Sequence, residues 1–372
     1  MRVLHVTSGR LFGGIEQMLV TIARHASVTP EMESAFAVAA PGRLEDELRA
    51  SRAPVTLLGD VRISRPASVA HARGAFTRAL KATRADVVVC HAPWSAALFA
   101  GTARRRGVPI VFWQHDAASG RSLVERWAKR TPADLVICNS QWTAASAAAL
   151  NPGVPRTVVH PPVAVPDIDP SRRAEIRTTL GASPSHVVLL SASRLDPWKG
   201  HLNLLRAVAR IANDPSWRLW IAGGAARPSE RDYAAKLRSC ALESGISQRV
   251  TFLGERRDVP ALMTACDVLC QINESPEPFG IVFAEALLSG CPVVTADLGG
   301  AREIVSETCG RLVRSDDLDG VASVLRTIVE RADLRAKLGA EGPAHARTIC
   351  APAVVLPQIA RALAAVTASA AA

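Results

Sequence analysis

The chain is predicted to be an α/β protein built from two doubly wound, parallel-sheet domains. Three observations point there. Short apolar runs without polar alternation recur, as in Arg2-Val-Leu-His-Val6, Asp86-Val-Val-Val-Cys90 and Val187-Val-Leu-Leu-Ser191, and strands buried on both faces read this way. Helical or loop segments separate these runs, the alternation that βαβ units produce. Finally, 372 residues with 48% hydrophobic content supply a core for each of two domains of ordinary size.

In chain order, the first half carries predicted strands at about residues 2–7, 34–39, 86–90, 109–113, 134–138 and 157–160. They place a first domain over residues 1–165. The Pro-rich stretch Val163-Ala-Val-Pro-Asp-Ile-Asp-Pro170 lacks a periodic signal and reads as a linker, with a second domain over 171–350. A site in the cleft between two such domains is the expectation. Asp167-Ile-Asp169 matches an acidic triplet that holds a metal in another fold, but it lies in the linker rather than after a strand. No metal or other cofactor is therefore expected.

The amino terminus enters a strand directly, without a signal-peptide pattern, and no 18 uninterrupted apolar residues occur. A cytoplasmic protein is expected. The eight cysteines, at 90, 138, 240, 266, 270, 291, 309 and 350, show no CxxC pair or zinc spacing and read as buried, reduced thiols. The formal charge of +10 is uneven: residues 1–170 hold 20 Lys/Arg against 13 Asp/Glu. Nucleic acid is not the expected partner, because no recognised module is present and aromatics make up only 4%. The basic face, including Arg104-Arg-Arg106, suits peripheral contact with an anionic membrane or a lipid-linked acceptor, and it equally suits simple solvation.

Chemistry-bearing residues cluster where strands end. After the first strand comes Ser8-Gly9-Arg-Leu-Phe-Gly13-Gly14-Ile-Glu16, ahead of the helix-patterned Gln17–Arg24. Gly13 and Gly14 let backbone approach a phosphate or sugar closely, although this is not the GxGxxG of dinucleotide enzymes. His91 ends the strand at 86–90, and His115 and Asp116 follow the strand Val108-Pro-Ile-Val111 and Phe112-Trp-Gln. His91 and Asp116 are acceptor-side candidates.

In the second half, Ser193-Arg194-Leu-Asp-Pro-Trp-Lys199-Gly200 leaves the strand 187–191, at the carboxyl edge where open α/β sheets bind ligands. Arg194 offers a planar fork to phosphate oxygens and Lys199 a compact charge. Further on, Glu277-Pro-Phe279-Gly280-Ile281-Val-Phe-Ala-Glu285 follows the strand Asp267–Ile272 and opens a helix over 281–288. The first helical amides have no internal partners and attract an anion. Glu277 before the helix and Glu285 on it would then bind hydroxyls on either side of a diphosphate. Alone, the two glutamates fit a solvated pair of acids equally well.

Together these clusters resemble the nucleotide-sugar half of the family 4 glycosyltransferases, which have the GT-B fold: two Rossmann-like domains facing a central cleft. Leu219-Trp-Ile-Ala-Gly-Gly224, Val250-Thr-Phe-Leu-Gly254, Val259–Asp267 and Gly290–Val305 fall in the family's order. The resemblance covers about residues 186–340 strongly and the first half more loosely. It implies a retaining transferase moving a hexose from a UDP-sugar or GDP-mannose-type donor to a glycan, glycolipid or other cell-envelope acceptor, without a metal. By the same resemblance His115 lies beside the transferred sugar, Gly13-Gly14 faces the diphosphate, and a last helix over 352–372 returns to the first domain. Two departures stand out: Ser193 where the family has Gly, and His160-Pro-Pro-Val163 where many members have Asn-Gly. A nucleotide-sugar epimerase of similar fold and a non-catalytic sugar-nucleotide-binding protein remain as alternatives. A glycosidase needs neither the cation pair nor the anion site.

Overall fold

The computed structural model describes residues 1–165, 168–169, 171–225 and 227–371. Asp167 of the linker triplet and the final residue of the expected helix 352–372 lie outside the described residues. The chain divides into two compact units, Met1–Val163 with Cys350–Ala372, and Ala164–Ile349.

The first unit holds β1 (Arg2–Thr7), β2 (Glu33–Val38), β3 (Val55–Leu57), β4 (Val87–His91), β5 (Ile110–Gln114), β6 (Leu135–Cys138) and β7 (Arg156–Val158). They form one sheet in the order β3-β2-β1-β4-β5-β6-β7, and every pairing is parallel. The sequence expectation lacked β3, a three-residue edge strand too short and too exposed to carry a periodic signal. The helix Pro352–Ala371 packs onto this unit with Val355, Leu356, Ile359 and Leu363 fully buried. Among the described residues one helical stretch, Ala332–Ala370, is long and apolar enough to cross a membrane.

The second unit holds β8 (Val187–Ala192), β9 (Trp217–Ala222), β10 (Val250–Gly254), β11 (Val268–Gln271), β12 (Val293–Ala296) and β13 (Gly310–Val313). Its order is β10-β9-β8-β11-β12-β13, again all parallel. Both sheets are the doubly wound kind expected. Helices cover both faces, so the central strands lose all contact with water, and Trp217, Trp220 and Phe283 fill the second core.

Strand order reverses between β1 and β4 in one sheet and between β8 and β11 in the other. A crevice opens outside the carboxyl ends at such a reversal, because the two flanking crossovers leave on opposite faces. In the second unit that junction is fastened from below. Asp267, just ahead of β11, accepts the Val188 amide of β8 at 2.7 Å and pairs with Arg173 at 2.6 Å and Arg177 at 2.9 Å. Arg177 is buried and its two terminal nitrogens also donate to the backbone carbonyls of Ser183, His186 and Ala265. All eight cysteines are free thiols and seven are buried; Cys266 Sγ lies 3.1 Å from Cys291 Sγ.

Candidate active site

In the second unit, loops leaving β8, β11 and β12 lock onto one another. The β8 loop closes in a tight turn, Pro197–Lys199, and then Gly200 at φ +73°. A Cβ at Gly200 would stand 1.6 Å from the Ile272 carbonyl oxygen, so only glycine lets these two backbones touch. The Glu274 amide adds a 2.8 Å bond to the Trp198 carbonyl. From the β12 loop, the Gly300 amide donates to the Glu277 carbonyl at 2.7 Å, and Gly299 lies against the same backbone.

This knot brings Lys199 and Glu277, separated by 78 positions, to 2.7 Å. Their side chains are only 13% and 12% exposed. Glu277 Oε2 also accepts from Asn273 Nδ2 at 2.8 Å and Gln271 Nε2 at 3.4 Å, while Gln271 donates to Asn273 Oδ1 at 2.9 Å. Glu277 Oε1 has no partner among the described residues. Lys199 Nζ sits 3.9 Å above the Trp198 ring, which adds a cation–π contact and leaves two of its three donors available. Sequence reasoning missed Gln271 and Asn273; the signal was two amides at alternate positions of an otherwise apolar strand end, Val-Leu-Cys-Gln-Ile-Asn.

Arg194 stands at the same edge, 42% exposed, held by Glu230 at 3.2 Å and Asp196 at 3.3 Å. Neither acid was a sequence candidate. Ser193, one of the two departures, places its hydroxyl 3.2 Å from Nε2 of His201. Burial, reinforced by the Lys199 charge, pushes His201 down to about 4, so a neutral ring underlies the lysine loop.

The helix Ile281–Leu288 begins at Gly280, and neither Gly280 nor Ile281 donates its amide to an acceptor among the described residues. Unpartnered amides and the positive end of a helix dipole attract an anion, and these follow Glu277 closely in sequence. Phe279 buries its side chain. Glu285 is half-buried, has no hydrogen-bond or ion-pair partner among the described residues, and burial pushes its carboxyl up to about 7. A 270 Å³ cavity lies next to this edge, lined by Leu195, Gly223, Gly224, Phe252, Gly254 and Glu255. Gly223, Gly224, Phe252 and Gly254 fall in stretches that carry the family resemblance but had no assigned role, and Glu255 lies outside them.

In the first unit the candidates fall at the carboxyl ends of β1, β4 and β5. Gly13 caps the helix Gly14–Arg24, but its amide donates to Glu16 Oε2 at 3.0 Å and is therefore occupied. The helix also starts three residues earlier than its apolar pattern suggested, and the N3 residue Glu16 reaches back to accept the N-cap Gly13 amide. Gly14 is exposed on the same turn. His91 is 1% exposed, which corrects the expectation of an acceptor contact: its nitrogens face His5 at 3.0 Å and His115 at 2.9 Å. His115 is half-buried at the strand edge, and the exposed Asp116 receives the Ala117 amide at 2.7 Å. On the helical side of this unit, Arg73, Thr77, Thr102, Arg105 and Arg106 line a 420 Å³ concavity.

The family described as "Glycosyl transferases group 1" matches residues 172–345, and that described as "Glycosyltransferase Family 4" matches residues 12–165. The chain belongs to the family 4 glycosyltransferases. A D-inositol 3-phosphate glycosyltransferase of Mycobacterium marinum is 36% identical over 195 residues, covering 51% of this chain and 39% of that protein. A GDP-mannose-dependent monoacylated alpha-(1-6)-phosphatidylinositol monomannoside mannosyltransferase of Corynebacterium glutamicum is 32% identical over 185 residues, covering 47% of this chain and 46% of that protein. The chain thus aligns with less than half the length of these curated relatives. Among solved structures, Anabaena Alr3699/HepE in complex with UDP and glucose superposes with a TM-score of 0.84 at 27% identity, covering 98% of this chain and 99% of that one. This family member therefore has the GT-B architecture, with one Rossmann-like sheet in each unit.

Proposed function

We propose that the chain is a retaining hexosyltransferase acting on a nucleoside-diphosphate sugar. The observation that carries this reading is the Lys199–Glu277 pair, assembled from two loops at the strand-order reversal and followed directly by open helix amides. Lys199, Arg194 and the amides near Phe279, Gly280 and Ile281 are assigned to the diphosphate. Glu277, with one free oxygen and one fixed by Asn273, orients sugar hydroxyls. Glu285 is assigned to the ribose, and the neighbouring 270 Å³ cavity to the base. From the first unit, His115 is assigned to a sugar hydroxyl, Gly13-Gly14 to the donor and Asp116 to the acceptor.

As the glycosidic bond breaks, positive charge grows on the sugar and negative charge on the departing diphosphate. Arg194 and Lys199 hold that negative charge more strongly in the transition state than in the ground state, which is what accelerates the step. The proposal needs no metal, since the two cations and the helix terminus supply the positive field. UDP-glucose-like or GDP-mannose-like donors fit the reading, as do a glycan, glycolipid or other cell-envelope acceptor. The Corynebacterium relative's name supports a GDP-mannose donor and a glycolipid acceptor, and the Anabaena structure with UDP and glucose supports a UDP-sugar. A cytoplasmic location on the inner face of the membrane also fits the basic first unit. Residues 61–85 and 87–115 carry nine Lys/Arg and no acid, and together they line the Arg73–Arg105–Arg106 concavity.

The test is a thermal-shift panel of nucleoside-diphosphate sugars, followed by product analysis with lipid and glycan acceptors. A nucleotide sugar should raise Tm and yield a product whose anomeric configuration matches the donor. Hydrolysis of ordinary glycosides, or isomerisation of donor without acceptor, would sink the proposal. Tight donor binding with no turnover on any acceptor would favour the non-catalytic reading.

A further inference from the structure

Three imidazoles form a hydrogen-bonded column across the adjacent strands of the first unit. His5 lies inside β1, His91 ends β4 and His115 follows β5. His5 Nδ1 is 3.0 Å from His91 Nε2, and His91 Nδ1 is 2.9 Å from His115 Nε2. The rings stack at 5.2–5.3 Å between centroids, with Phe36 against His5 and Trp113 against both His91 and His115. The other nitrogen of His5, Nε2, is buried and has no partner among the described residues.

Each contact needs one N–H and one lone pair, and a neutral imidazole carries one of each. The column therefore has only two self-consistent neutral states: all three rings protonated on Nδ1, or all three on Nε2. In the second state the inner end would be a buried Nε2–H with nothing to accept it. In the first it would be an unfilled acceptor. Orphaned buried donors are the rarer and costlier of the two.

We propose that His5 and His91 are positioning residues that fix His115 as the Nδ1–H tautomer, so that it presents a hydrogen-bond donor and no lone pair at the strand edge. In this state His115 cannot take up a second proton. Its Nδ1 is already protonated, and its Nε2 accepts from His91. His115 then donates to a ligand oxygen and does not act as a general base. The rings packed against the column are Phe36 and Trp113, and no carboxylate among the described residues shifts any of the three imidazoles. Burial accordingly holds His5 and His115 down to about 3 and His91 well below the usual range. The tautomer assignment stands on the column alone; only the ligand oxygen being a sugar's rests on the proposed function.

The experiment is long-range 1H–15N correlation of the full chain labelled at histidine, with His5→Phe and His91→Phe used to assign the rings. All three rings should show a protonated Nδ1 and a bare Nε2, unchanged from about pH 8 to about pH 5. His91→Phe keeps a stacked ring but removes both nitrogens, so His115 should become a tautomer mixture titrating towards about 6.5. His91→Asn, whose amide can donate in place of Nδ1–H, should restore the fixed state. If His91→Phe fails to fold, His5→Phe frees the outer pair to adopt either direction and should give a mixed His115 signal. An Nε2–H pattern in the wild type, wild-type titration of His115 near 6.5, or an unchanged His115 in both Phe variants overturns the proposal. The intended spectrum in a chain that transfers no sugar would instead refute only the proposed function.

Discussion

Replacing Lys199 with methionine keeps the length and apolar stem of the side chain and removes only the ammonium. Two effects follow, and they separate. The first is on stability: Glu277 loses its 2.7 Å partner while keeping Asn273 and Gln271. Breaking a buried pair costs about 3–5 kcal/mol. Because both side chains keep some exposure and Glu277 keeps its amide donors, the expected loss here is about 1–3 kcal/mol. The second effect is on binding. If Lys199 meets a diphosphate oxygen, one charge-assisted bond of about 1.5–3 kcal/mol disappears, weakening binding of the nucleoside diphosphate about 10- to 150-fold. Adding Glu277→Gln removes the stranded carboxylate, so the double variant should recover most of the stability and none of the affinity. Chemical denaturation reads the first quantity, and calorimetric titration with the sugar-free nucleoside diphosphate reads the second. Recovery of both in the double variant would mean that Lys199 only holds Glu277. Unaltered affinity in the single variant would remove Lys199 from the phosphate site altogether.

Glu285 gives a pH signature of opposite sign to that of a salt-bridged acid. Its carboxyl is raised from 4.5 to about 7 in the folded chain, so the fold binds its proton more tightly than the unfolded chain does. Its contribution is full below about 4.5, is lost as pH rises through about 7, and amounts to on the order of 3 kcal/mol. Wild type should therefore lose stability relative to Glu285→Gln between about pH 5 and about pH 7, and parallel denaturation curves across that window would show that the carboxyl is not desolvated. Gly200→Ala should cost several kcal/mol, since its Cβ would meet the Ile272 carbonyl oxygen at 1.6 Å at a φ of +73°. An unchanged Tm would mean that the β8 and β11 loops are not clamped together.

The parallel strands were readable because a strand covered on both faces is apolar at most positions, which leaves a run that local reading detects. The edge strand Val55–Leu57 escaped because it has only three residues and none of them is fully buried. At the site, Arg194, Lys199, Glu277 and Glu285 were visible as charges beside strand ends. Their supporting groups were not. Gln271 and Asn273 look like accidents of a strand end until the β8 loop folds over them, and Glu230 lies 36 positions from the arginine it orients. His91 failed as an acceptor contact for the same reason: nothing local distinguishes a strand-end histidine facing solvent from one sealed between two other rings.

By itself, then, the sequence determined two doubly wound sheets and the charged groups that leave their carboxyl edges, because hydrophobic period and strand-end position are properties of short segments. Tertiary structure alone decided which of those groups meet. The Lys199–Glu277 pair spans 78 positions and the histidine column joins residues 5, 91 and 115. Such contacts depend on strand order within the sheet, and crossovers carry residues that are neighbours in space far apart along the chain.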